Sequence, residues 1–306
     1  WRLPQGGRTS KGKAIVNILP IPTGVSIAAI MPVDRDEKEW DDLQVVFATS
    51  AGTVRRNKLS DFTNVKSNGK IAMKFEDEHA ETTLINARIA SNEDDVMLIT
   101  NSGRAIRFPA TDVRVFNSRS SVGVRGVKLS GTDKVVSMSI IRHFDASSDE
   151  RSAYLKMRRA VAGLADEVDV SDEEETDANA TIDQARYAEM SAAENLILTI
   201  TSQGSGKLSS SHDYPVRGRG GMGVAAMDKA MRGGQIVASF PVEMDDQIML
   251  ATSKGQSIRV PIEGISFRSR SAGGVKVFDT GKGEEVVSVA WIADQGDEAE
   301  DAGDTE

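Results

Sequence analysis

A glycine-centred turn returns along this chain at an almost fixed spacing. It reads Val46-Phe47-Ala48-Thr49-Ser50-Ala51-Gly52-Thr53-Val54-Arg55-Arg56 and returns as Met97-Leu98-Ile99-Thr100-Asn101-Ser102-Gly103-Arg104-Ala105-Ile106-Arg107. It returns twice more, around Gly204 and Gly255. The intervals between the four glycines are 51, 101 and 51 residues. A period near 50 residues marks an array of like units, each too small to bury its own apolar face alone.

Each copy is an apolar run, a small polar turn with Gly, and a second run carrying basic residues, which reads as a β-hairpin. A second Gly signature follows each hairpin: Lys66 to Met73, Arg119 to Val127, Arg217 to Val224 and Arg268 to Val275, with a further copy at Arg8 to Val16. Each leads into a strand and then another apolar run, such as Val135 to Ile140 or Val286 to Ala290. That makes about four strands per unit, the pattern of a propeller-like disc. Blades are expected at 45–90, 96–144, 196–243 and 247–292. Residues 1–33 are expected to close an earlier blade whose start is cut.

The long interval is not a hidden repeat. Asp149 to Ala165 has helical spacing, with Tyr154, Met157, Val161 and Leu164 on one side, and Thr181 to Glu194 reads helical again. Between them, Asp166 to Asp177 is nearly continuous acid and is expected to be disordered. Residues 145–195 are therefore an acidic insertion, read as a surface ornament, although its Arg158-Arg159 pair could meet DNA. The domain is expected to run over 1–293, with an acidic disordered tail at 294–306.

Net charge is −9, yet its distribution reverses the sign on the repeats. The tail holds seven acids and no base, and the insertion carries −9, so the rest of the chain carries +7. A basic body with acidic appendages points to a polyanionic partner. Cysteine is absent, which leaves no disulfide or thiolate metal site and fits a reducing cytosol. No run approaches a membrane span and no signal-peptide pattern opens the chain.

Candidate catalytic motifs do not survive inspection. Gly7-Arg8-Thr9-Ser10-Lys11-Gly12-Lys13-Ala14 nearly matches a phosphate loop, but Ala14 stands where Mg²⁺ needs a hydroxyl. Gly218-Arg219-Gly220-Gly221-Met222-Gly223 fits a dinucleotide fingerprint, but it is one of the repeats and follows no buried strand. It reads better as a basic Gly-rich loop whose N–H groups and arginines can meet phosphates. His79, His143 and His212 are far apart and are read as exposed and unliganded. No catalytic or metal residue is assigned.

The basic residues recur with the repeat. Arg55, Arg56, Arg104, Arg107, Lys207 and Arg259 follow the hairpin turns. Lys66, Lys70, Arg119, Arg125, Arg217, Arg219, Arg268, Arg270 and Lys276 flank the second turns, as Arg8, Lys11 and Lys13 flank the first copy. In a disc, equivalent positions lie around one rim, so these residues are expected to form a track for duplex DNA, bound electrostatically. With 5% aromatic residues, stacking on single strands is disfavoured. The competing reading is that they only guard strand edges.

Four stretches together resemble the C-terminal domain of the bacterial DNA gyrase A protein. They are Lys13-Ala14-Ile15-Val16-Asn17-Ile18-Leu19-Pro20 after its basic Gly turn, the Ala48 to Val54 hairpin, Gly123-Val124-Arg125-Gly126-Val127, and Asp246-Gln247-Ile248-Met249-Leu250. The resemblance implies an all-β fold, a six-bladed β-pinwheel whose blades exchange strands. It implies a noncatalytic domain that wraps DNA around a basic rim while the holoenzyme, an ATP-dependent type II DNA topoisomerase, introduces negative supercoils. Catalytic tyrosine, Mg²⁺ site and ATPase would lie elsewhere in the gyrase A protein or in gyrase B, leaving no cofactor in this segment. The implied partners are duplex DNA, gyrase B and the rest of gyrase A in an A2B2 heterotetramer, in the cytoplasm at the nucleoid. The family's signature box, of Gln-Arg-Arg-Gly-Gly-Lys-Gly type, is not in this chain and is expected upstream of Trp1. The alternatives are the equivalent domain of topoisomerase IV, which decatenates, and a propeller scaffold for proteins.

Overall fold

The four hairpin turns are built alike, and a threonine three residues before each glycine builds them. In this computed structural model, the N–H of Gly52, Gly103, Gly204 and Gly255 donates to the carbonyl of Thr49, Thr100, Thr201 and Thr252 respectively, each at 3.0 Å. The same four hydroxyls accept from the N–H of the residue after the glycine, each at 3.2 Å. The glycines hold φ between +77° and +86°, a region closed to most side chains. The structure describes residues 13–14, 17–22, 24–33, 36–66, 69–75, 81–163, 179–227 and 233–292.

The turns join β1 (Gln44–Thr49) to β2 (Thr53–Lys58), β4 (Asp94–Thr100) to β5 (Arg104–Pro109), β8 (Leu196–Thr201) to β9 (Ser205–Ser210), and β12 (Gln247–Thr252) to β13 (Ser257–Pro261). On its other side each first strand pairs antiparallel with β3 (Leu84–Ala90), β7 (Val135–Arg142), β11 (Ile236–Val242) or β15 (Val286–Ile292). β7 packs against both β3 and β11, and β11 against β15, so these strands lie innermost and the hairpins' second strands point outwards.

The fourth strand of each complete sheet comes from the next unit. The two-residue strand β6 (Val124–Arg125) follows the second hairpin but pairs with β2 of the first. β10 (Val224–Ala225) pairs with β5, and β14 (Val275–Lys276) with β9. The hairpin glycine also receives the exchanged chain: Gly52 O accepts from Gly126 N at 2.8 Å, Gly103 O from Ala226 N at 2.8 Å, and Gly204 O from Val277 N at 2.9 Å. The described residues thus form three four-stranded sheets and one three-stranded sheet, β13-β12-β15.

Because a blade is covered on both faces, its central strand is a continuous apolar run rather than an alternating one. Val96 and Leu98 of β4 pack with Val46, Val54 and Val127, whereas Met97 and Ile99 of the same strand pack with Ile197, Tyr214 and Met227. Leu198 and Ile200 turn instead to Ile248 and Leu250 of the fourth blade.

The insertion forms α1 (Ser148–Val161) and α2 (Gln184–Ala193), in the two stretches expected to be helical. Ser147 and Glu150 form a capping box on α1, and Asp183 caps α2. It is docked rather than ornamental. Tyr154, Leu155 and Met190 are buried, with Phe144, Ile182 and Tyr187 packed around them. Met157 and Val161 are 37% and 74% exposed, because α1 buries its first half against the 3₁₀ turn at Ser211–Asp213. One further expectation is corrected here, that of His212. His212 is buried, not exposed: it sits in that turn, its Nε2 lies 2.8 Å from Met190 O, and Tyr154 and Phe144 meet its ring edge-on. His79, the acidic run 166–177 and the tail 294–306 lie outside the described residues.

Candidate nucleic-acid interface

The expected rim residues divide into two sets. Arg55, Arg56, Arg107, Lys207 and Arg270 are buried and spend their hydrogen bonds on the protein. Arg55 and Lys207 stand at the same place, three residues after the hairpin glycine, and both hold the loop that delivers an exchanged strand. Arg55 Nη1 donates to Arg119 O at 2.7 Å and Ser121 O at 2.6 Å. Lys207 Nζ donates to Ser269 O at 2.9 Å, to Ala272 O at 2.7 Å, and to Arg270 O. Three carbonyl acceptors saturate an ammonium, which makes burial of that charge tolerable.

Arg56 and Arg107 are also equivalent, one residue further along. Arg107 Nε pairs with buried Asp95 at 2.8 Å, and its Nη1 crosses to Ser211 O in the third blade at 2.8 Å. Arg56 meets neutral partners, Gln44 Oε1 at 2.8 Å and Asn92 Oδ1 at 3.0 Å. Burial lowers the pKa of Arg55, Arg56 and Arg107 from the usual guanidinium value. Arg270 Nε donates to Asp213 O at 2.9 Å and its Nη1 to Ala225 O. The hairpin's second strand carries side chains on both faces of a covered sheet, so basic positions on it can point inwards. Arg270 lies instead in the loop before β14 and turns onto the preceding unit, so the expectation that all five line an outer track is corrected.

The second set reaches solvent. Lys13, Lys66, Arg104, Arg125, Arg219, Arg259 and Lys276 are exposed, and Lys70, Arg119, Arg217 and Arg268 are half-buried. Lys70 Nζ donates to Thr63 O, and Arg119 Nη1 to Ile71 O at 3.2 Å. Arg8 and Lys11 lie outside the described residues.

Register shows a regularity within the exposed set. In the outermost strand pair of the first blade Thr53 faces Arg125, in the second Arg104 faces Ala225, and in the third Ser205 faces Lys276. Directly opposed residues share a face. Each of these three blades therefore presents one exposed cation at the same point of its rim, supplied by the hairpin strand in the second blade and by the exchanged strand in the other two. Lys74, absent from the expected track, lies 51 residues before Arg125, one repeat period, and is also exposed. The signal was available as spacing, but the lattice point is shared by two strands distant in sequence, so no single column of the repeat holds all the cations. Beside Arg125, Lys128 and Lys134 line an open cleft with Glu81 and Asp133.

His143 and His212 belong to the insertion's seat. His143 Nδ1 lies 2.9 Å from Asp95 and its Nε2 3.0 Å from Asp145. Burial lowers its pKa, but the hydrogen bonds and charges of both carboxylates outweigh this, and the net shift is upward. His212 is shifted downward, by burial first. Arg158 Nε pairs with Glu194 at 3.1 Å and its guanidinium covers the Phe267 ring, so it serves the docked insertion. Among the described residues, no group of three or more His, Cys, Asp or Glu could hold a metal ion, and no helix is long and apolar enough to cross a membrane.

Antiparallel blades linked by exchanged outer strands define a β-pinwheel, a repeat module of the propeller kind. The chain belongs to the family described as DNA gyrase C-terminal domain, beta-propeller, which matches residues 44–83, 94–142, 195–243 and 246–290. It is 43% identical over 98% of its length to the DNA gyrase A protein of Granulibacter bethesdensis, covering 34% of that protein. It is 37% identical over 98% of its length to the Rickettsia bellii gyrase A protein, covering 33% of it. The chain thus spans about a third of the length of the curated relatives it matches. Two solved structures share the fold: a DNA topoisomerase IV C-terminal domain (TM-score 0.67, 19% identity, covering 92% of this chain and 70% of that one) and a DNA gyrase A C-terminal domain (TM-score 0.61, 18% identity, covering 93% and 76%).

Proposed function

We propose that this chain binds and wraps duplex DNA as the C-terminal domain of a gyrase A protein. The observation that carries this is the cation repeated at one register point of three successive outer strand pairs. Evenly stepped charges on a curved edge suit a bent phosphate backbone, not a base sequence. Arg219, Arg259 and Lys74 extend the track in this reading. The elastic cost of a 40–90° bend over 20–30 bp is about 1–6 kcal/mol, which several phosphate contacts offset. The relatives' name points to gyrase rather than to topoisomerase IV, whose likeness here is one of fold. ATP and Mg²⁺ would be bound elsewhere in an A2B2 holoenzyme formed with gyrase B, at the nucleoid in the cytoplasm. This segment would supply wrapping and no chemistry.

The test is a salt titration of binding to random-sequence duplex, with bending read by fluorescence transfer between the DNA ends. Steeply salt-dependent binding with bending is expected. If the cations only guard strand edges, or if the disc is a protein scaffold, no such binding occurs at low salt.

A further inference from the structure

The loop from Arg217 to Gly223 presents an apolar side chain beside exposed arginines. Met222 is 49% exposed. The loop is fixed on both sides of it. Arg217 N donates to Arg107 O at 2.8 Å, Gly220 N to Gly126 O at 2.6 Å, and Gly221 O accepts from Lys128 N at 2.8 Å. Arg219 clamps Asp112 O and Arg125 O, each at 3.0 Å. Gly223 lies so close to β5 that a Cβ there would fall 2.2 Å from Ala105 O, and its φ is +70°. Met222 is therefore held out by its backbone and not by side-chain packing.

Its surroundings are cationic. Arg219, Arg125 and Arg104 are exposed, the last in register with Ala225, three residues from Met222. From Tyr214 to Met227 there is no acidic residue. The same place in the flanking units is taken by half-buried Val122 and by Gly273, so the protrusion occurs once among these three loops.

A flexible thioether on a rigid stalk among arginines has the form of a minor-groove wedge, which partly unstacks a base step and lowers the cost of bending there. Resting on the DNA reading above, we propose that Met222 enters the minor groove of the wrapped duplex and kinks it at one point of the path. The favoured target is a deformable pyrimidine–purine step. The arginines hold the phosphates that flank it.

The experiment uses this chain and a set of duplexes in which a single TA step is moved through an otherwise mixed sequence. Unstacking is read as permanganate reactivity of the thymine, bending by fluorescence transfer, and affinity by salt titration. One duplex is expected to show a hyper-reactive thymine. Met222→Ala abolishes that reactivity while the salt slope is kept, and Met222→Leu, which keeps an apolar side chain, retains it. Equal reactivity with Met222→Ala, or none with an unaltered chain that still binds and bends DNA, overturns the wedge alone. No binding by the unaltered chain at low salt overturns the DNA reading with it.

Discussion

Neutralising the three register-matched cations tests the track at its base. The perturbation is Arg104→Gln, Arg125→Gln and Lys276→Gln together, three exposed positions on the outer strand pairs of three blades. Each cation that neutralises a phosphate contributes about 0.9 to the slope of log affinity against log salt, so losing three lowers the slope by about 2.7. Over a fourfold rise in salt that difference is worth roughly 40-fold in relative affinity, and duplexes of any sequence are expected to weaken alike. Fold stability is expected to stay within about 0.5 kcal/mol for each exposed change. The matched control is Arg104→Lys, Arg125→Lys and Lys276→Arg, which keeps charge and is expected to keep the slope. The assay is titration by fluorescence anisotropy over a range of salt, with thermal unfolding recorded on the same preparations. An unchanged slope in the neutralised variant, with folding intact, would refute the assignment of these positions to phosphate contacts.

The buried cations should behave in the opposite way. Lys207→Met leaves three carbonyls without their donor and is expected to cost about 3 kcal/mol or more, roughly 1–3 kcal/mol for each buried carbonyl, read by denaturant unfolding; a cost no larger than that of an exposed lysine would show that the loop does not need it. For pH, the raised His143 stabilises fully below its unfolded pKa, and that contribution is lost as pH rises through the higher folded value. His212, depressed by burial, works the other way: its cost appears as pH falls below the unfolded value. The two together make stability fall on both the alkaline and the acid side of the ordinary histidine range, and His143→Gln is expected to flatten the alkaline side of the unfolding profile relative to the unaltered chain. Deleting 294–306, which holds seven acids and no base, is expected to strengthen DNA binding; equal affinity with and without it would show that the tail does not compete.

The spans of the four hairpin-bearing blades and the two helices between the second and third could be read from the sequence, because glycines and apolar runs recur with the blades and lapse between them. The threonine that builds each turn is present in every copy, yet its role is a hydroxyl contact across four residues that composition does not mark. Strand exchange has no local signal: β6 is two residues long, and Arg125 in it pairs with Thr53, 72 positions earlier. Burial separates residues that composition treats alike. Arg55 and Lys207 lie two residues further along the same strand face than the position of Arg104, where the loop before the exchanged strand covers them, whereas Arg104 lies at the open end of that face. A set of basic residues does not show which position the returning loop will cover; the tertiary fold does.

Strand exchange also determines how force travels through the disc. In the wrapping reading proposed above, a bent duplex would pull outwards at the rim, where the short strands β6, β10 and β14 lie. Each of them is hydrogen-bonded to one blade and covalently continuous with the next. Tension applied to one blade therefore passes along main chain into its neighbour, and opening the seam requires shearing a backbone ladder as well as separating two apolar faces. The blades resemble a belt of interlocked buckles, in which the recoil of a wrapped duplex would be shared among blades and not concentrated at a single contact.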